Sequence, residues 1–108
     1  MDRISIDDFK KVDIRVGEVM RAEKVPDTDK LLCLKVNFGS EERQIVSGIA
    51  GYFPDPATLI GKKLPFIYNL EPRTIRGLES NGMILAATAE DGTFSLLEAS
   101  VTPGASVR

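Results

Sequence analysis

Apolar and polar residues alternate along several short stretches of the chain, which is the pattern of strands with one buried face. The first stretch begins at Val12 and changes phase after Gly17, where a glycine indicates a β-bulge and a bent first strand. Pro65 cannot donate a ladder hydrogen bond, so the fourth strand is predicted to lie at an edge or to begin late. The later predicted strands are Leu32–Phe38, Arg43–Ile49, Leu64–Tyr68, Met83–Ala87 and Phe94–Leu97.

The N-terminal stretch carries the signals of a short helix. Ser5, followed three residues later by Asp8, resembles a capping box. Ile6 and Phe9 are three residues apart, so they share one helical face. We predict a helix over Ile6–Lys11, whose apolar face packs on its own barrel or meets a second subunit.

The segment Ala50–Gly61 interrupts the strands with a connector that has no alternation. Pro56 suits the first position of a short helix, Leu59 and Ile60 give it an apolar side, and Gly61 suits its end. Three strands, a helical connector and two further strands are the order of an OB-fold, a five-stranded, partly open all-β barrel. Another small β-barrel, such as an SH3-like one, is the alternative, but the connector and the long fourth loop favour the OB-fold.

Composition narrows the possible functions. The 108 residues fit one domain, spanning residues 1–108, and a net charge of -2 argues against a protein held on nucleic acid by bulk charge alone. The single cysteine, Cys33, permits no internal disulfide and indicates a cytoplasmic protein. Without histidine, neither a zinc site nor a common acid–base set can be assembled, so we predict no metal, no cofactor and no catalysis. No apolar run reaches the length of a membrane span.

Two loops are the candidate binding elements of such a barrel. OB-folds bind oligonucleotides with their second and third strands and with the loops that follow the first and fourth strands. Here these loops are Lys24–Lys30 and Leu70–Ser80, the second of which is predicted to be irregular because Pro72 and Gly77 interrupt it. Aromatic stacking platforms are sparse, which favours a folded RNA over a general single-strand sheath.

Arg73 and Arg76 are the strongest binding candidates in the loop after the fourth strand. Guanidinium groups in an exposed loop can reach phosphate oxygens with two hydrogen bonds each. The alternative is that both are only solvated charge, and Glu71 and Glu79 in the same loop offer them local partners.

Other candidates also have two interpretations. Lys35 and Arg43 are predicted to point the same way, away from the side of Leu34 and Val46, as a basic face or as the polar side of the sheet. The remaining candidates could contact bases or ribose, or could serve as turn stabilisers, a strand end and a core residue. They are Asn69, Ser80, Ser47 (with Gly48) and Met83.

Four motifs together resemble the tRNA-binding domain family, which includes the C-terminal domain of bacterial methionyl-tRNA synthetase and free-standing structure-specific tRNA-binding proteins. They are DIRVG at Asp13–Gly17, DKLL at Asp29–Leu32, RQIVSGIA at Arg43–Ala50 and NLEPRTIRGLESNGMILAA at Asn69–Ala87. The resemblance implies an OB-fold that binds the outer corner of tRNA. The residues it implies as RNA-facing are Ser47, Asn69, Arg73, Arg76, Ser80 and Met83, with Lys35 and Arg43 as additions.

The resemblance also implies a homodimer, formed through the N-terminal helix and a C-terminal dimerisation extension. The two ends of the chain carry more apolar side chains than a lone small barrel is expected to cover. Secretion-chaperone relatives share the fold but differ in the SGIA and NLxP regions, so a protein-binding domain is the alternative function. The predicted interface residues are Ile4, Ile6, Phe9, Leu96, Val101 and Val107.

Overall fold

A computed structural model describes residues 1–108 and places most of the regular structure in short strands. One turn of α-helix, α1, comes first, and two 3₁₀ turns lie between the third and fourth strands. The bounds are α1 Ile6–Phe9, β1 Ile14–Lys24, β2 Leu32–Asn37, β3 Glu42–Ser47, 3₁₀ turns Ala50–Tyr52 and Pro56–Leu59, β4 Lys63–Ile67, β5 Arg73–Ile75, β6 Leu78–Ser80, β7 Met83–Ile84, β8 Ala86–Thr88, β9 Phe94–Leu96 and β10 Ser106–Val107.

The central sheet is antiparallel and curls into a half-barrel with the order β3-β2-β1-β4-β7. Two hairpins, β5–β6 and β8–β9, project from it. The predicted all-β fold of the OB type is confirmed. The C-terminal β10 was not predicted; it pairs with the start of β1, placing Val107 opposite Ile14. None of the helical turns has the length or apolar character needed to cross a bilayer.

The core fills the concave side of the half-barrel. Phe38 and Phe66 meet edge to face there, with ring centroids 5.5 Å apart, a favoured aromatic arrangement. Twelve buried residues form one contiguous cluster, to which every strand from β1 to β4 contributes. They are Val19, Leu32, Leu34, Val36, Phe38, Ile45, Ile49, Ala50, Leu59, Leu64, Phe66 and Ile84.

The bulge in β1 does not lie at Gly17, so that prediction is wrong. β1 pairs with β4 without interruption through Gly17, and the shift in its register with β2 falls between Val19 and Arg21. The change of phase in the sequence has a different cause: Val16 and Val19 lie on opposite faces of β1 and both are buried. Gly17 is needed for close packing, because a Cβ there would collide with Val36 and come within 2.8 Å of the Phe38 ring.

The N-terminal helix is shorter than predicted. Its cap is confirmed, because the Ser5 hydroxyl accepts a hydrogen bond from the Asp8 amide at 3.0 Å. Regular α-helix ends at Phe9 instead of Lys11, since the amides of Lys11 and Val12 bond three residues back as the chain turns toward β1. The side chain of Ile6 is 66% exposed, so the apolar face of α1 does not pack on its own barrel.

The connector is two 3₁₀ turns instead of one helix. Pro56 opens the second turn and Gly61, with φ of +89°, follows its end, as predicted. Leu59 is fully buried, but Ile60 is half exposed and does not share the apolar side with it.

Predictions for β4 and the strand after it also need correction. Pro65 lies in an inner strand, which tolerates it because β1 bonds to the residues on either side of it. On the side of β4 that faces β7, the Pro65 carbonyl accepts a hydrogen bond from the Leu85 amide, but Pro65 has no N–H to donate in return. Strand β7 ends just before that point. The predicted strand Met83–Ala87 is therefore split: β7 pairs with β4, while β8 turns away to pair with β9.

Candidate nucleic-acid interface

The loop after β4 is ordered as a β-hairpin, so the prediction of an irregular loop is wrong. Strands β5 and β6 pair with Arg73 opposite Ser80, and Arg76 and Gly77 form the turn. Both turn residues have positive φ, +52° and +77°, as a type I′ two-residue hairpin turn requires. The turn projects Arg76 from the tip of a paired element.

Arg73 and Arg76 are exposed and carry no internal partner. None of the five ion pairs in the structure involves either residue, and neither side chain donates a hydrogen bond within the chain. Glu71 and Glu79 therefore do not neutralise them, although both lie close in sequence. The structure thus excludes local neutralisation, and both guanidinium groups are exposed to solvent or to an external anion.

Two hydrogen bonds made by Gln44 hold the β5–β6 hairpin against β3. The Gln44 side-chain amide donates to the Glu79 carbonyl at 3.0 Å, and the Asn81 amide donates to the Gln44 carbonyl at 2.9 Å. The arginines thus stand on an element fixed to the rigid sheet, which is how folds commonly position binding residues.

Ser80 closes the barrel beside these bonds. Its hydroxyl accepts a hydrogen bond from the Val46 amide at 3.0 Å and lies 3.3 Å from the Gly82 carbonyl oxygen. The residue is only 4% exposed. The structure therefore places Ser80 inside the protein, as a bridge between β3 and the β6–β7 segment.

A groove of about 540 Å³ runs between the end of β3, the β5–β6 hairpin and the β7–β8 segment. Seven of its ten lining residues are hydrophobic, and we call it the Ser47–Met83 groove after two of them, one from the end of β3 and one from β7. Arg73 lines the same groove, as does Ile75. Met83 is 43% exposed although its side chain is apolar. Three predicted site residues are thus brought to one surface.

Arg76 lies beside this groove, next to the other predicted loop. It shares a depression of about 390 Å³ with Asp27, Asp29 and Lys30. The two loops expected to form the binding face of an OB-fold therefore meet at Arg76. The carboxylates of that loop add negative charge on this side, so the electrostatic environment is less favourable for an anion at Arg76 than at Arg73.

Lys35 and Arg43 do not point the same way, contrary to prediction. Register places Lys35 opposite Gln44 on the outer face, and Arg43 opposite the fully buried Val36. Lys35 is exposed, but the shallow depression that it borders also contains Glu41, Glu42 and Glu79. The negative charge of these three carboxylates offsets the positive charge of Lys35.

Arg43 is held inside a stack centred on Tyr68. Its guanidinium lies 3.4 Å from the centre of the Tyr68 ring, and Arg15 lies 4.0 Å from the same centre. Arg43 also donates to the Tyr68 carbonyl at 2.6 Å and to Glu41. Hydrogen bonds from the Tyr68 hydroxyl and from Arg43 lower the pKa of Glu41, while burial and the bond to Glu41 raise the pKa of Tyr68. The charge of Arg43 is already engaged within the protein.

Asn69 is likewise used by the fold. Its side-chain carbonyl accepts a bond from the Asp13 amide at 2.8 Å, and its amide donates to the Lys11 carbonyl at 2.6 Å. Both donor and acceptor ends therefore tie the segment after α1 to the end of β4.

Comparison with known proteins decides the family. The family model described as "Putative tRNA binding domain" matches residues 14–106. The chain belongs to the tRNA-binding domain family. A methionine–tRNA ligase from Caldanaerobacter subterraneus subsp. tengcongensis is 53% identical over 97 residues, which cover 90% of this chain and 15% of that enzyme. The chain spans less than a fifth of the length of this and similar methionine–tRNA ligases.

Two solved structures share the whole fold of this tRNA-binding domain. The MetRS related protein from Pyrococcus horikoshii superposes with a TM-score of 0.94 at 44% identity, covering 100% of both chains. Chaperone CsaA from Bacillus anthracis str. Ames superposes with a TM-score of 0.86 at 25% identity, covering 99% of this chain and 100% of that one.

Of the eight residues predicted to face RNA in this tRNA-binding domain, the structure gathers Ser47, Arg73 and Met83 in one groove and places Arg76 beside it. The sequence prediction missed Ile75 as a lining residue. The available signal was the apolar pair Ile75 and Leu78 on either side of Arg76-Gly77, a pattern that fits a two-residue hairpin turn. Arg-Gly is not among the residue pairs common in such turns, so the hairpin was not predicted. The remaining four lie outside this groove; they are Lys35, Arg43, Asn69 and Ser80.

Proposed function

We propose that this domain is a non-catalytic module that binds folded tRNA through the β5–β6 hairpin and the Ser47–Met83 groove. The observation that carries the proposal is the freedom of Arg73 and Arg76, which are exposed and unpaired on a hairpin bonded to the sheet. Two preoriented guanidinium groups can bind phosphates bidentately without first breaking internal ion pairs. Family membership supports tRNA as the RNA. The region that we propose is bound is the outer corner of the L shape, as the resemblance of the sequence motifs implies.

The contacts have distinct roles in this proposal. Arg73 and Arg76 bind phosphates, and Ser47 and Met83 contact the nucleotide between them and the sheet. Arg43, Asn69 and Ser80 act indirectly, because their polar groups are occupied by the fold. Lys35 contributes only long-range attraction.

The same contact serves a free-standing protein or a domain of a larger enzyme. The similarity to segments of methionine–tRNA ligases supports a role as an extra tRNA-binding surface appended to an aminoacyl-tRNA synthetase. Such a surface would raise the affinity for tRNA through its effective concentration without taking part in aminoacylation.

A tRNA titration at two salt concentrations tests the proposal. We expect binding that weakens as salt rises, because each phosphate contact releases condensed counterions. A linear RNA of equal length should compete poorly, since the hairpin and groove are rigid and suit a folded contour. Equal competition by the linear RNA, or binding that ignores salt, would contradict the proposal.

Similarity to chaperone CsaA supports a second candidate, a protein-binding domain. The same titration separates the two. A protein-binding domain should capture an unfolded polypeptide and be indifferent to tRNA, whereas the proposed tRNA module should show the reverse preference.

We also propose that the domain forms a homodimer through α1 and β10. Ile6, Phe9 and Val107 line one cavity of about 450 Å³, and all three are exposed in the single chain. Ile4 and Val101 are also exposed and extend the apolar surface at the chain ends. Leu96 lies apart from this cavity, because it lines a different depression and packs partly against the core.

Light scattering at micromolar concentration should give a mass of twice 11.8 kDa for the unmodified chain. Phe9→Glu should give the monomer mass, because burying an unpaired carboxylate in the interface is costly. Ile60→Glu is the matched control, since Ile60 is 51% exposed but lies outside this cavity. A monomeric unmodified chain, or equal dissociation in both variants, would refute the interface.

A further inference from the structure

Resting on the proposed function, we propose that the Ser47–Met83 groove receives one unstacked nucleobase of the bound tRNA. Proteins that recognise folded RNA commonly take a splayed base between side chains and hydrogen-bond its edge. The groove offers the three surfaces that such a base needs, namely apolar walls, free polar groups and a cation for the adjoining phosphate.

Apolar side chains form most of the walls. Met83 is 43% exposed and Ile75 is half buried, on two different elements that border the groove. A thioether is polarisable and packs well against an aromatic ring. Part of the Met83 side chain is left uncovered in the free chain, and a base inserted here would cover it.

Free hydrogen-bonding groups lie at the end of β3. Along the edge of β3 the Gln44 carbonyl is bonded by Asn81 and the Val46 amide by Ser80. Gly48, just beyond, makes no hydrogen bond within the chain through its amide or its carbonyl, and the Ser47 hydroxyl makes none either. One donor, one acceptor and one hydroxyl therefore remain for the edge of a base.

The absence of a side chain at Gly48 keeps this space open. A Cβ at Gly48 would meet no atom within 4 Å, and its φ lies outside the left-handed region. Neither packing nor backbone conformation requires glycine here, so its structural effect is the empty volume itself. Arg73 lines the same groove with no internal partner and can bind the phosphate next to the inserted base. An apolar peptide side chain would leave this cation unused, which favours a nucleotide.

Methionine methyl resonances provide a direct test in the intact chain. We expect the Met83 methyl signal of methyl-labelled protein to move upfield on titration with tRNA, because a stacked base shields it. Met20 is the internal control, since it is 40% exposed but does not line the groove. A movement at Met20 as large as that at Met83, or none at Met83 when tRNA is saturating, overturns the inference.

Filling the groove is the second test. Gly48→Val should weaken tRNA binding by roughly 5- to 150-fold, the range that follows from losing one stacked base. Gly51→Val is the matched control: a Cβ there also meets nothing within 4 Å, but Gly51 does not line the groove, so it should retain affinity. Thermal melting of both variants checks that the fold is retained, and the methyl experiment stands on the unmodified chain if one of them fails to fold.

The outcomes separate this inference from the proposed function. If Gly48→Val binds normally and Met83 does not move, while loss of the hairpin arginines still weakens binding, the tRNA module stands and base insertion is refuted. If the unmodified chain binds no tRNA at any salt concentration, the proposed function fails and the inference fails with it.

Discussion

Replacing Arg73 and Arg76 together with alanine is expected to weaken tRNA binding by roughly 100-fold at low salt. A hydrogen bond to a charged group contributes about 1.5 kcal/mol at the lower end of its range, so two such contacts approach 3 kcal/mol. Stability should change little, because both side chains are exposed and neither makes an ion pair or a hydrogen bond within the chain. A filter-binding titration and a melting curve measure the two quantities.

Salt dependence makes this prediction specific to phosphate contacts. Each contact contributes about -0.7 to -0.9 to the slope of log affinity against log salt, so the double variant should flatten the slope by about 1.4 to 1.8. The matched control is Arg3→Ala with Arg21→Ala, which removes the same charge from exposed positions outside the hairpin and the groove. Equal weakening in both pairs would mean that net charge, rather than the hairpin, attracts the RNA.

Alternation predicted the half-barrel well because each long strand has one core-facing side. The strands β2, β3 and β4 lie within one or two residues of their predicted bounds. The predictions were wrong for segments that contact the rest of the protein on more than one side. Val16 and Val19 are buried on both sides of β1, and the run Met83–Ala87 serves two different sheets. Alternation in a single segment carries no information about a second partner.

For the predicted interface, the sequence could not show which side chains the fold itself engages. Residue type and position left two interpretations open for Arg43 and for Asn69, an RNA contact or a structural role. Their actual partners, Tyr68 and the backbone near Asp13, are far away in sequence and become neighbours only in the folded chain. Arg73 and Arg76 differ from these two, because Glu71 and Glu79, the carboxylates close to them in sequence, do not form ion pairs with them. Long-range pairing, and not residue chemistry, decides which candidates remain available.

Ser80 is one of the residues whose role changes most, and Ser80→Ala is expected to destabilise the fold by about 1–3 kcal/mol. Removing the hydroxyl leaves the Val46 amide without its acceptor at a buried position, and also removes the link from β3 to the β6–β7 segment. For a domain of this size each kcal/mol lowers the melting temperature by roughly 4–8 °C.

A control variant and a tRNA-binding measurement distinguish a structural role of Ser80, as the link between β3 and the β6–β7 segment, from a direct contact with RNA. Ser95→Ala removes an exposed hydroxyl that donates only to the neighbouring Leu96 carbonyl, so its stability should stay within about 0.5 kcal/mol of the unmodified chain. If Ser80 is the bridge, Ser80→Ala melts lower but retains most of its tRNA affinity at temperatures where it is folded. If it contacts RNA directly, affinity falls while the melting temperature matches that of Ser95→Ala. The bridge position predicts the first result, because a hydroxyl that already bonds β3 is buried away from any RNA on the surface.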